Sequence, residues 1–399
     1  MNKLKNKLSS ILFLMFCSIS IAAQQPAVFS IDGKALSKNK SRIQSKEELI
    51  MPAYKQLLKD ADKAMEFGPV SVMEKNNVPP SGDKHDYMSL APYYWPDPNK
   101  ADGLPYIRKD GETNPEVKDY KDKEYMPKLC ELANTLALAY YFSGEHKYAE
   151  HAAKLLRVWF LDKDTRMNPN LDYAQAMKGH NTGRGAGLID TRHFIKVPDA
   201  IGLLQGSKYW TAADQDGMKK WFSDFLNWMQ TSKNGIDEMN AKNNHGDWYD
   251  AQRLSFALFI GNTELAKQIV LSAQDRLDKQ ADETGMFPRE MERTTSLHYS
   301  VFAMEAFFII AKMAESTGTD LWEHVTPSGR SLKRSFEVLK PYFSKEKNWE
   351  GKQIKEYNQE EGYMLLMEGA KRFGCRDCEQ VVQRLAADKA QRLRIKLLY

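Results

Sequence analysis

The stretch LCELANTLALAYYFSGEH, residues 129–146, decides the fold class of this protein. Its apolar residues recur at the spacing of a helix that packs one face against a core. They are Leu129, Leu132, Ala133, Leu136, Ala137 and Tyr140. Gly144 follows, and glycine readily adopts the left-handed conformation in which many helices end. The segment therefore predicts a helix, a tight turn and the start of a second helix, which is a helical hairpin.

The same pattern of helix, glycine turn and helix recurs along the chain, at Gly261, Gly318 and Gly374. Strand-like alternation is scarce. Two long loops interrupt the pattern, at residues 78–116 and 167–192, and both are irregular in sequence. Open solenoids repeat more strictly than this and carry fewer long loops. The sequence therefore predicts an all-α protein, an α/α toroid (an incomplete α/α barrel) of six or seven helical hairpins.

The N-terminus has the features of a secretory signal peptide. Lys3, Lys5 and Lys7 precede an apolar run from Ile11 to Cys17, and small residues follow up to Ala23. The run is shorter than the roughly 20 residues that a membrane-spanning helix needs. We expect residues 1–23 to be a signal peptide, residues 24–399 to form one domain, and the protein to be periplasmic with no membrane span.

Charge and cysteine content exclude several classes of protein. The formal net charge is +4, and three of the positive charges are signal lysines, so the remaining chain is nearly neutral and nucleic acid is not an expected partner. Beyond the signal there are three cysteines, Cys130, Cys375 and Cys378, an odd number. The close pair is interpreted as a structural pair or two free thiols. No metal-ligand spacing such as His-Glu-x-x-His occurs, so no metal and no cofactor are predicted.

Two segments combine polar side chains with the start of an apolar helix. The first is NNHGDWYD, residues 243–250, in which Asp247 is a candidate N-cap. That cap would place Asn244 and His245 just before the helix, where backbone amides favour an anion. The second is REMERTTSLHYS, residues 289–300, and its Tyr299 lies 54 positions after His245. We expect these two helix starts to open at the same end of a toroid.

This pair of segments resembles the alginate lyase domain family, typified by polysaccharide lyase family five and the related family thirty-eight. The shared features are Asn-Asn-His-x-x-Trp, followed some fifty residues later by an arginine and a tyrosine at a helix start. The tracts 87–98 and 179–192 are similar to that family too, so the resemblance extends from about residue 80 to about residue 310. It implies a toroid that degrades an anionic polysaccharide of the alginate or glucuronan type.

The resemblance also implies roles for four residues. Asn244 and His245 neutralise a uronate carboxylate, Arg293 assists them, and Tyr299 handles the proton. The chemistry asks for the same residue types, because β-elimination next to a carboxylate develops negative charge that positioned donors must stabilise. One tyrosine can act as base and then acid when both groups lie on one face of the sugar. Its phenol needs cationic neighbours to ionise, and Arg293 and His298 are near in sequence.

Some assignments stay open at this point. Arg289 is an alternative to Arg293, since one turn of uncertainty in the helix start exchanges them. His298 is an alternative base to Tyr299, because its ordinary pKa is closer to neutral. For guluronate, inverted at C5, His180 or His193 is a candidate base on the opposite face, although His193 is also interpreted as a helix-start or core residue. Mannuronan, glucuronan and guluronan, endo or exo action, and oligomeric state are not decided by the sequence.

Further residues are candidates for substrate contact. Aromatic platforms are predicted in the first loop, because sugar rings stack on aromatic faces. They are Tyr87, Tyr93, Tyr94 and Trp95. Arg184 and Arg192 of the second loop are expected to grip carboxylates through their planar guanidinium groups. The remaining candidates are Asn243, His180, Trp248 and His298.

Two competing functions fit parts of the sequence. An inverting glycoside hydrolase on the same toroid would need two opposed carboxylates. The candidates are Asp247, Asp250, Glu290 and Glu292, although helix capping explains their positions better. A non-catalytic glycan-binding protein would use the aromatic residues and arginines and would not need Tyr299.

Overall fold

The computed structural model describes residues 25–399, so the signal peptide predicted for residues 1–23 lies outside the described residues. The described chain is predominantly helical. Its α-helices are α1 (Gly33–Gln44), α2 (Met51–Ala64), α3 (Lys121–Ser143), α4 (His146–Phe160), α5 (Lys196–Leu204), α6 (Ala212–Thr231), α7 (Lys233–Met239), α8 (Asn244–Ile260), α9 (Thr263–Gln280), α10 (Pro288–Met291), α11 (Ser296–Ala314), α12 (Leu332–Phe343), α13 (Tyr363–Arg372), α14 (Cys378–Ala386) and α15 (Ile395–Leu398). Short 3-10 helices occupy Val72–Glu74, Pro115–Asp119, Gly185–Ile195, Glu315–Thr317, Gln359–Gly362 and Ala387–Arg392.

The predicted helical hairpins are present. α3 ends at Gly144, whose φ of 75° is left-handed, and α4 starts two residues later. α8 ends in the same way at Gly261, with φ 83°, before α9. A residue with a Cβ would be strained at either position, so glycine ends the first helix and lets the chain reverse.

The helices form two layers, as expected for a toroid. α5, α8 and α11 are buried almost all round, which is the property of an inner helix. α3 packs on α5, α5 on α8, and α8 on α11, which builds the inner layer. The amphipathic helices α4, α6, α9 and α12 bury one face against that layer. The all-α toroid is therefore confirmed.

The apolar character of α11 reflects its place in the core. Within the described part of the chain, Ser296–Thr317 is the one helix long and apolar enough to cross a membrane, but 72% of that stretch is buried inside the protein. A helix of the inner layer has to be apolar on every face, because other helices surround it.

The two long loops pair with each other beside the helices. Strand β1 (Met88–Leu90) of the first loop runs parallel to β4 (Tyr173–Ala176) of the second. A small antiparallel pair, β2 (Tyr94–Trp95) with β3 (Ile107–Arg108), shapes the rest of the first loop. The insertions thus form one structured unit over the end of the toroid at which α8 and α11 begin.

The cysteine pair forms a local link near the C-terminus. Cys375 and Cys378 are joined by a disulfide, and Cys130 is buried with a free thiol. Among the described residues, one cluster has metal-ligand groups close together, namely Cys375, Asp377 and Cys378. Its two sulfurs are bonded to each other, so this loop is a structural clip.

Candidate active site

Helix α8 begins earlier than predicted. Its first residue is Asn244, and Asn243 takes the N-cap position without a capping hydrogen bond from its side chain. The predicted N-cap, Asp247, is wrong, because it lies within the first helical turns and is fully buried. Asn244 and His245 are therefore part of the first turn instead of the loop before it. The helix can start there because a carboxylate from another segment takes over the role of the cap.

That carboxylate belongs to Glu290, one residue before the end of α10. It accepts hydrogen bonds from the Asn244 backbone nitrogen at 2.6 Å and from Asn244 Nδ2 at 2.8 Å. Burial raises the pKa of Glu290 above its ordinary value, and the two Asn244 hydrogen bonds work against that rise. An amide nitrogen carries two hydrogens, so Nδ2 keeps one for a ligand, and Asn244 Oδ1 has no hydrogen-bond partner in the described chain. Glu290 thereby fixes the orientation of the Asn244 side chain.

His245 is held by a second carboxylate. Its Nδ1 lies 2.7 Å from Glu238 Oε1, on α7. The Glu238 side chain is only 4% exposed and the His245 side chain 23%. A carboxylate accepts hydrogen bonds, so Nδ1 is the donor and Nε2 is the nitrogen left for a ligand.

Tyr299 lies in the first turn of α11, as the sequence predicts, and its hydroxyl contacts the first loop. The Tyr299 and Tyr93 hydroxyl oxygens are 2.7 Å apart. The Arg293 guanidinium lies over the Tyr299 ring, 3.5 Å from its centroid. As the sequence predicts, this cation lowers the pKa of the phenol, but the net shift in the ligand-free pocket is upward. Burial and the Tyr93 hydroxyl raise the Tyr299 pKa well above its ordinary value, and Arg293 opposes this only in part.

Arg293 is fixed by a carboxylate of the first loop. Its Nε and Nη2 donate to the Asp110 carboxylate at 2.8–3.2 Å, and the Thr294 backbone nitrogen donates to the same group at 3.1 Å. Burial would raise the pKa of Asp110, but Arg293 and Thr294 outweigh it and hold that pKa far below its ordinary range. The alternative residue, Arg289, lies outside the pocket that Arg293 lines.

His298 also has a carboxylate partner, at the other side of the α11 start. Its Nδ1 is 2.7 Å from Glu361 Oε2. Its ring meets the Tyr299 ring edge to face at 5.2 Å and lies parallel to Phe302. Both partners of the His298–Glu361 pair are more than a third exposed, so water reaches this contact.

These side chains line one cavity of about 390 Å³, here called the catalytic pocket. The structure brings together in it most of the predicted residues: Tyr93, Tyr94, Arg184, Arg192, Asn243, Asn244, His245, Arg293, His298 and Tyr299. Arg108 and Lys123 line it as well. The lining contains five lysines and arginines and no carboxylate. Arg108 and Arg293 pair with Asp110, and Lys123 pairs with Asp190, so Arg184 and Arg192 are the lining cations without an ion pair among the described residues. This excess of positive charge is the distribution expected of a site for a polyanion.

The two arginines of the second loop are held by different neighbours. Arg184 donates to Gln175 at 2.8 Å and lies over the Tyr94 ring. Arg192 donates to the Ile189 carbonyl at 3.2 Å and lies over Phe302. In the described residues neither guanidinium is paired with a carboxylate within ion-pair distance, so both keep donors for an anionic ligand.

Four of the predicted contact residues lie elsewhere. Tyr87 is not a sugar platform, because it is fully buried and its hydroxyl donates to Asp190. Trp95 and His180 lie outside the pocket lining and are bound to backbone carbonyls of the first loop. Trp248 is buried and lines a separate cavity. The sequence pattern marks all four as aromatic loop or helix-start residues, but it cannot tell which way each side chain points.

Asp190 explains the burial of Tyr87. It accepts hydrogen bonds from Tyr87, Ser89 and Gln175 at 2.7–3.1 Å and pairs with Lys123. Burial would raise its pKa, but Lys123 and the neutral donors outweigh burial and keep the Asp190 pKa below its ordinary value. The residue therefore ties the two loops to α3.

The carboxylates of the hydrolase alternative do not face the pocket. Asp247 and Asp250 of α8 and Glu290 of α10 are buried and do not line the pocket, and Glu292 is exposed outside the pocket lining. Glu290 is occupied by Asn244, and Asp250 by Arg276. No pair of opposed carboxyl groups is available to a ligand in the catalytic pocket, so the geometry required for hydrolysis by inversion is missing among the described residues.

A second cavity, here called the interior cavity, lies beside the catalytic pocket and shares Arg192, His298 and Phe302 with it. His193 lines this cavity, and burial and the nearby Arg192 lower the His193 pKa to about 3. Glu305 and Glu361 face the same space.

The residues that the sequence interpretation missed are carboxylates that hold the catalytic groups. They are Asp110, Glu238, Glu290 and Glu361. Only Glu290 stands in a quoted segment, and there it was considered as a hydrolase acid. No local signal distinguishes these acids from surface charges, because each acts on a partner from another element.

Comparison with known proteins agrees with this site. The family model described as alginate lyase matches residues 71–349. A crystal structure of an alginate lyase from Bacteroides ovatus is 40% identical, covers 94% of this chain and 99% of its own, and superposes with a TM-score of 0.89. Alginate lyase A1-III from Sphingomonas species A1, at 17% identity, covers 95% of this chain and 97% of its own with a TM-score of 0.57. No match is found among proteins with curated functional descriptions.

A variant of alginate lyase A1-III complexed with a tetrasaccharide shares the fold as well, at 17% identity, a TM-score of 0.61 and coverage of 95% of this chain and 97% of that one. The helical toroid, its cation-lined pocket and these matches define a polysaccharide lyase. Within that class, the chain belongs to the alginate lyase family.

Proposed function

We propose that this protein cleaves 1,4-linked uronic acid polymers, polymannuronate (alginate) or glucuronan, by syn β-elimination that leaves 4,5-unsaturated uronate ends. The observation that carries the proposal is the lining of the catalytic pocket, with five lysines and arginines and no carboxylate around Tyr299. The similar protein from Bacteroides ovatus is described as an alginate lyase, and the A1-III lyase has been crystallised with a tetrasaccharide. Both descriptions agree with an anionic polysaccharide as substrate.

Two residues in the first turn of α8, Asn244 and His245, neutralise the uronate carboxylate. Asn244 offers its second Nδ2 hydrogen, because Glu290 occupies the first. His245 donates to Glu238 through Nδ1, so it offers an Nε2 hydrogen to the carboxylate in its imidazolium form, with both ring nitrogens protonated. Arg293 lines the same pocket; Asp110 occupies its Nε and Nη2, and Nη1 remains as a donor for the substrate. Donors that are already in place stabilise the enediolate as its charge develops, without reorganising during the reaction.

Tyr299 moves the proton. Its phenolate oxygen takes the proton from C5 and gives it to O4 as the C4–O4 bond breaks, so one oxygen returns to its starting state at the end of each turnover. Arg293 over the ring is the cation that favours the phenolate. Since burial holds the phenol protonated in the free pocket, the reactive form becomes more abundant as pH rises.

Mannuronate and glucuronate are the sugars that suit this geometry, because they share the configuration at C4 and C5 and differ at C2. Guluronate would need a base on the opposite face of the ring. The two histidines considered for that role, His180 and His193, do not line the catalytic pocket. Substrates with the mannuronate or glucuronate configuration are therefore proposed.

We further propose that residues 24–399 act as one catalytic domain and that the protein reaches the periplasm through the signal peptide 1–23. The family match at residues 71–349 and the covered length of the Bacteroides ovatus structure support one continuous unit. N-terminal sequencing of protein recovered from the periplasmic fraction would test this. A mature terminus at residue 24 is expected, and retention of Met1 in the cytoplasm would contradict it.

The activity test follows ultraviolet absorbance of unsaturated uronate while purified protein is mixed separately with polymannuronate, polyguluronate, glucuronan and hyaluronan. A rise on polymannuronate or glucuronan is expected, and the Tyr299→Phe variant should abolish it. Appearance of reducing ends without absorbance would instead indicate hydrolysis. Binding without either product would indicate a glycan-binding protein.

A further inference from the structure

A third cavity, of about 540 Å³, lies on the other side of the α8 start and is here called the side pocket. We propose that the side pocket is a distal subsite that binds the carboxylate of a uronate unit further along the same polymer chain, through Lys242 and Arg289. This inference rests on the proposed function, because it assigns a place to the part of the polymer that extends beyond the catalytic pocket.

The position of the side pocket supports a continuous path. It is lined by Lys242, by Arg289 before the end of α10, and by the last residues of α9. Since α9 runs back along α8, its end returns to the end of the toroid at which α8 begins. Gln280 Nε2 of α9 lies 3.4 Å from the Asn243 carbonyl, and Asn243 lines the catalytic pocket. One hydrogen bond therefore joins the lining of the side pocket to that of the catalytic pocket, and a polymer that crosses the Asn243 backbone reaches both.

The charges of the side pocket match a carboxylate ligand. Its lining holds five lysines and arginines against two carboxylates, Asp250 and Asp275. Arg276 and Arg253 pair with Asp250, and Lys279 pairs with Asp275. In the part of the chain that the structure describes, Lys242 and Arg289 are the lining cations with no ion pair and no side-chain hydrogen bond. The excess positive charge therefore belongs to these two side chains.

The interior cavity, in contrast, has no excess of positively charged side chains over carboxylates in its lining. Arg192 and Lys196 line that cavity together with Glu305 and Glu361, so two cations face two carboxylates. A polymer with one negative charge on every sugar is attracted to the catalytic and side pockets and gains nothing from the interior cavity. The side pocket is therefore the continuation of the cation-lined surface at this end of the toroid.

The test measures how affinity grows with chain length. Full-length protein carrying Tyr299→Phe, to prevent cleavage, is titrated calorimetrically with mannuronate oligomers of increasing length and with polymannuronate. Adding Lys242→Ala and Arg289→Ala should weaken binding of the polymer by roughly tenfold, because an exposed ion pair contributes a factor of up to about five. Binding of the disaccharide, which is too short to reach both pockets, should change far less. Salt should weaken polymer binding less steeply in the variant.

The matched control replaces Lys55 and Arg376, which are exposed and line neither pocket. It should leave the length dependence as it is. An equal loss at every oligomer length, or no loss at any length, would overturn the inference. The proposed function fails in a different way: protein with Tyr299 intact would then produce no unsaturated uronate from the polymer. If the activity test shows cleavage of glucuronan instead of polymannuronate, the titration uses glucuronate oligomers in place of mannuronate oligomers.

Discussion

The two helix starts that form the catalytic pocket are built differently. At the start of α8, Asn244 and His245 are held by Glu290 and Glu238, and both of these acids are almost fully buried. At the start of α11, Tyr299 and His298 are held by Tyr93 and Glu361, which come from a loop and from the segment before α13 and are partly exposed. The start of α8, proposed to neutralise the substrate carboxylate, is held by buried acids, and the start of α11, proposed to transfer the proton, is completed by partly exposed segments.

This difference has a physical basis. A group that stabilises developing charge works best when its donors do not move during the reaction, and burial among packed helices provides that rigidity. A group that exchanges protons needs contact with substrate and water, which a partly exposed loop allows. Substitutions on the two sides should therefore affect activity, pH dependence and stability in different ways.

The largest effect is expected at the proton-moving side. Tyr299→Phe removes the oxygen that exchanges protons, so kcat should fall roughly 10²- to 10⁴-fold. The ring, and with it the Arg293 contact at 3.5 Å, is retained, so thermal unfolding should change little. The rate of unsaturated uronate formation measures the effect. A variant that keeps a fifth or more of the wild-type rate would assign the proton transfer to another group, of which His298 is the nearest.

The next largest effect is expected at the buried side. In Glu290→Gln, the glutamine side chain has one acceptor oxygen, whereas Asn244 presents two donors to it. The glutamine amide group would face one of these donors with its own N–H, so the Asn244 side chain should rotate away. We expect kcat/KM to fall roughly 10- to 100-fold, as for a misplaced catalytic group, with the loss mainly in kcat. The free energy of unfolding should fall by about 1–3 kcal/mol, since a buried donor loses its partner.

Glu292→Gln is the matched control, because Glu292 is exposed and does not line the pocket. Steady-state kinetics and chemical denaturation should separate the two variants clearly. Equal kinetics for both would mean that Asn244 does not depend on Glu290 for its orientation.

A smaller effect, visible in pH dependence, is expected from the first loop. The Tyr93 hydroxyl contributes to the raised pKa of Tyr299, so Tyr93→Phe should lower that pKa and shift the rise of kcat/KM to lower pH. The change in kcat/KM at fixed pH should be roughly two- to tenfold, the size of one hydrogen bond. Tyr94→Phe is the matched control. The Tyr94 side chain lines the same pocket, but its hydroxyl has no hydrogen-bond partner in the described residues, so this variant should not shift the pH profile of kcat/KM. A profile that falls with rising pH would contradict the phenolate as base.

The smallest effect on activity is expected from Glu305, whose substitution should change stability instead. Asp250 of α8 is paired with Arg276, whereas Glu305 of α11 faces the interior cavity without an ion pair among the described residues. Burial raises the pKa of Glu305 from 4.5 to about 7. The folded state thus binds this proton more tightly than the unfolded state, and stability falls as pH rises from 4.5 to 7. Glu305→Gln should remove about 2–3 kcal/mol of that fall, as measured by denaturation at pH 5 and pH 8. An unchanged difference between the two pH values would place the dependence on other groups.

The sequence predicted much of the fold and the centre of the site. Leu129 to Tyr140 show the helical period directly, because the period depends only on neighbouring residues. Asn244, His245, Arg293 and Tyr299 lie in two polar segments that precede apolar helices, their roles are implied by the resemblance to the alginate lyase family, and all four line the pocket. The prediction was wrong where a side chain could turn either way, as for Tyr87, which points to Asp190 instead of the pocket.

The sequence by itself determined the helical class, the glycine turns and the identity of the polar groups at two helix starts, because those features are local. The tertiary structure decided which distant side chain holds each of these polar groups. The Glu290–Asn244, Asp110–Arg293 and Tyr93–Tyr299 contacts join residues 46, 183 and 206 positions apart. A hydrogen bond needs its two atoms within about 3 Å and in line, and across such separations that geometry exists only after the helices have packed.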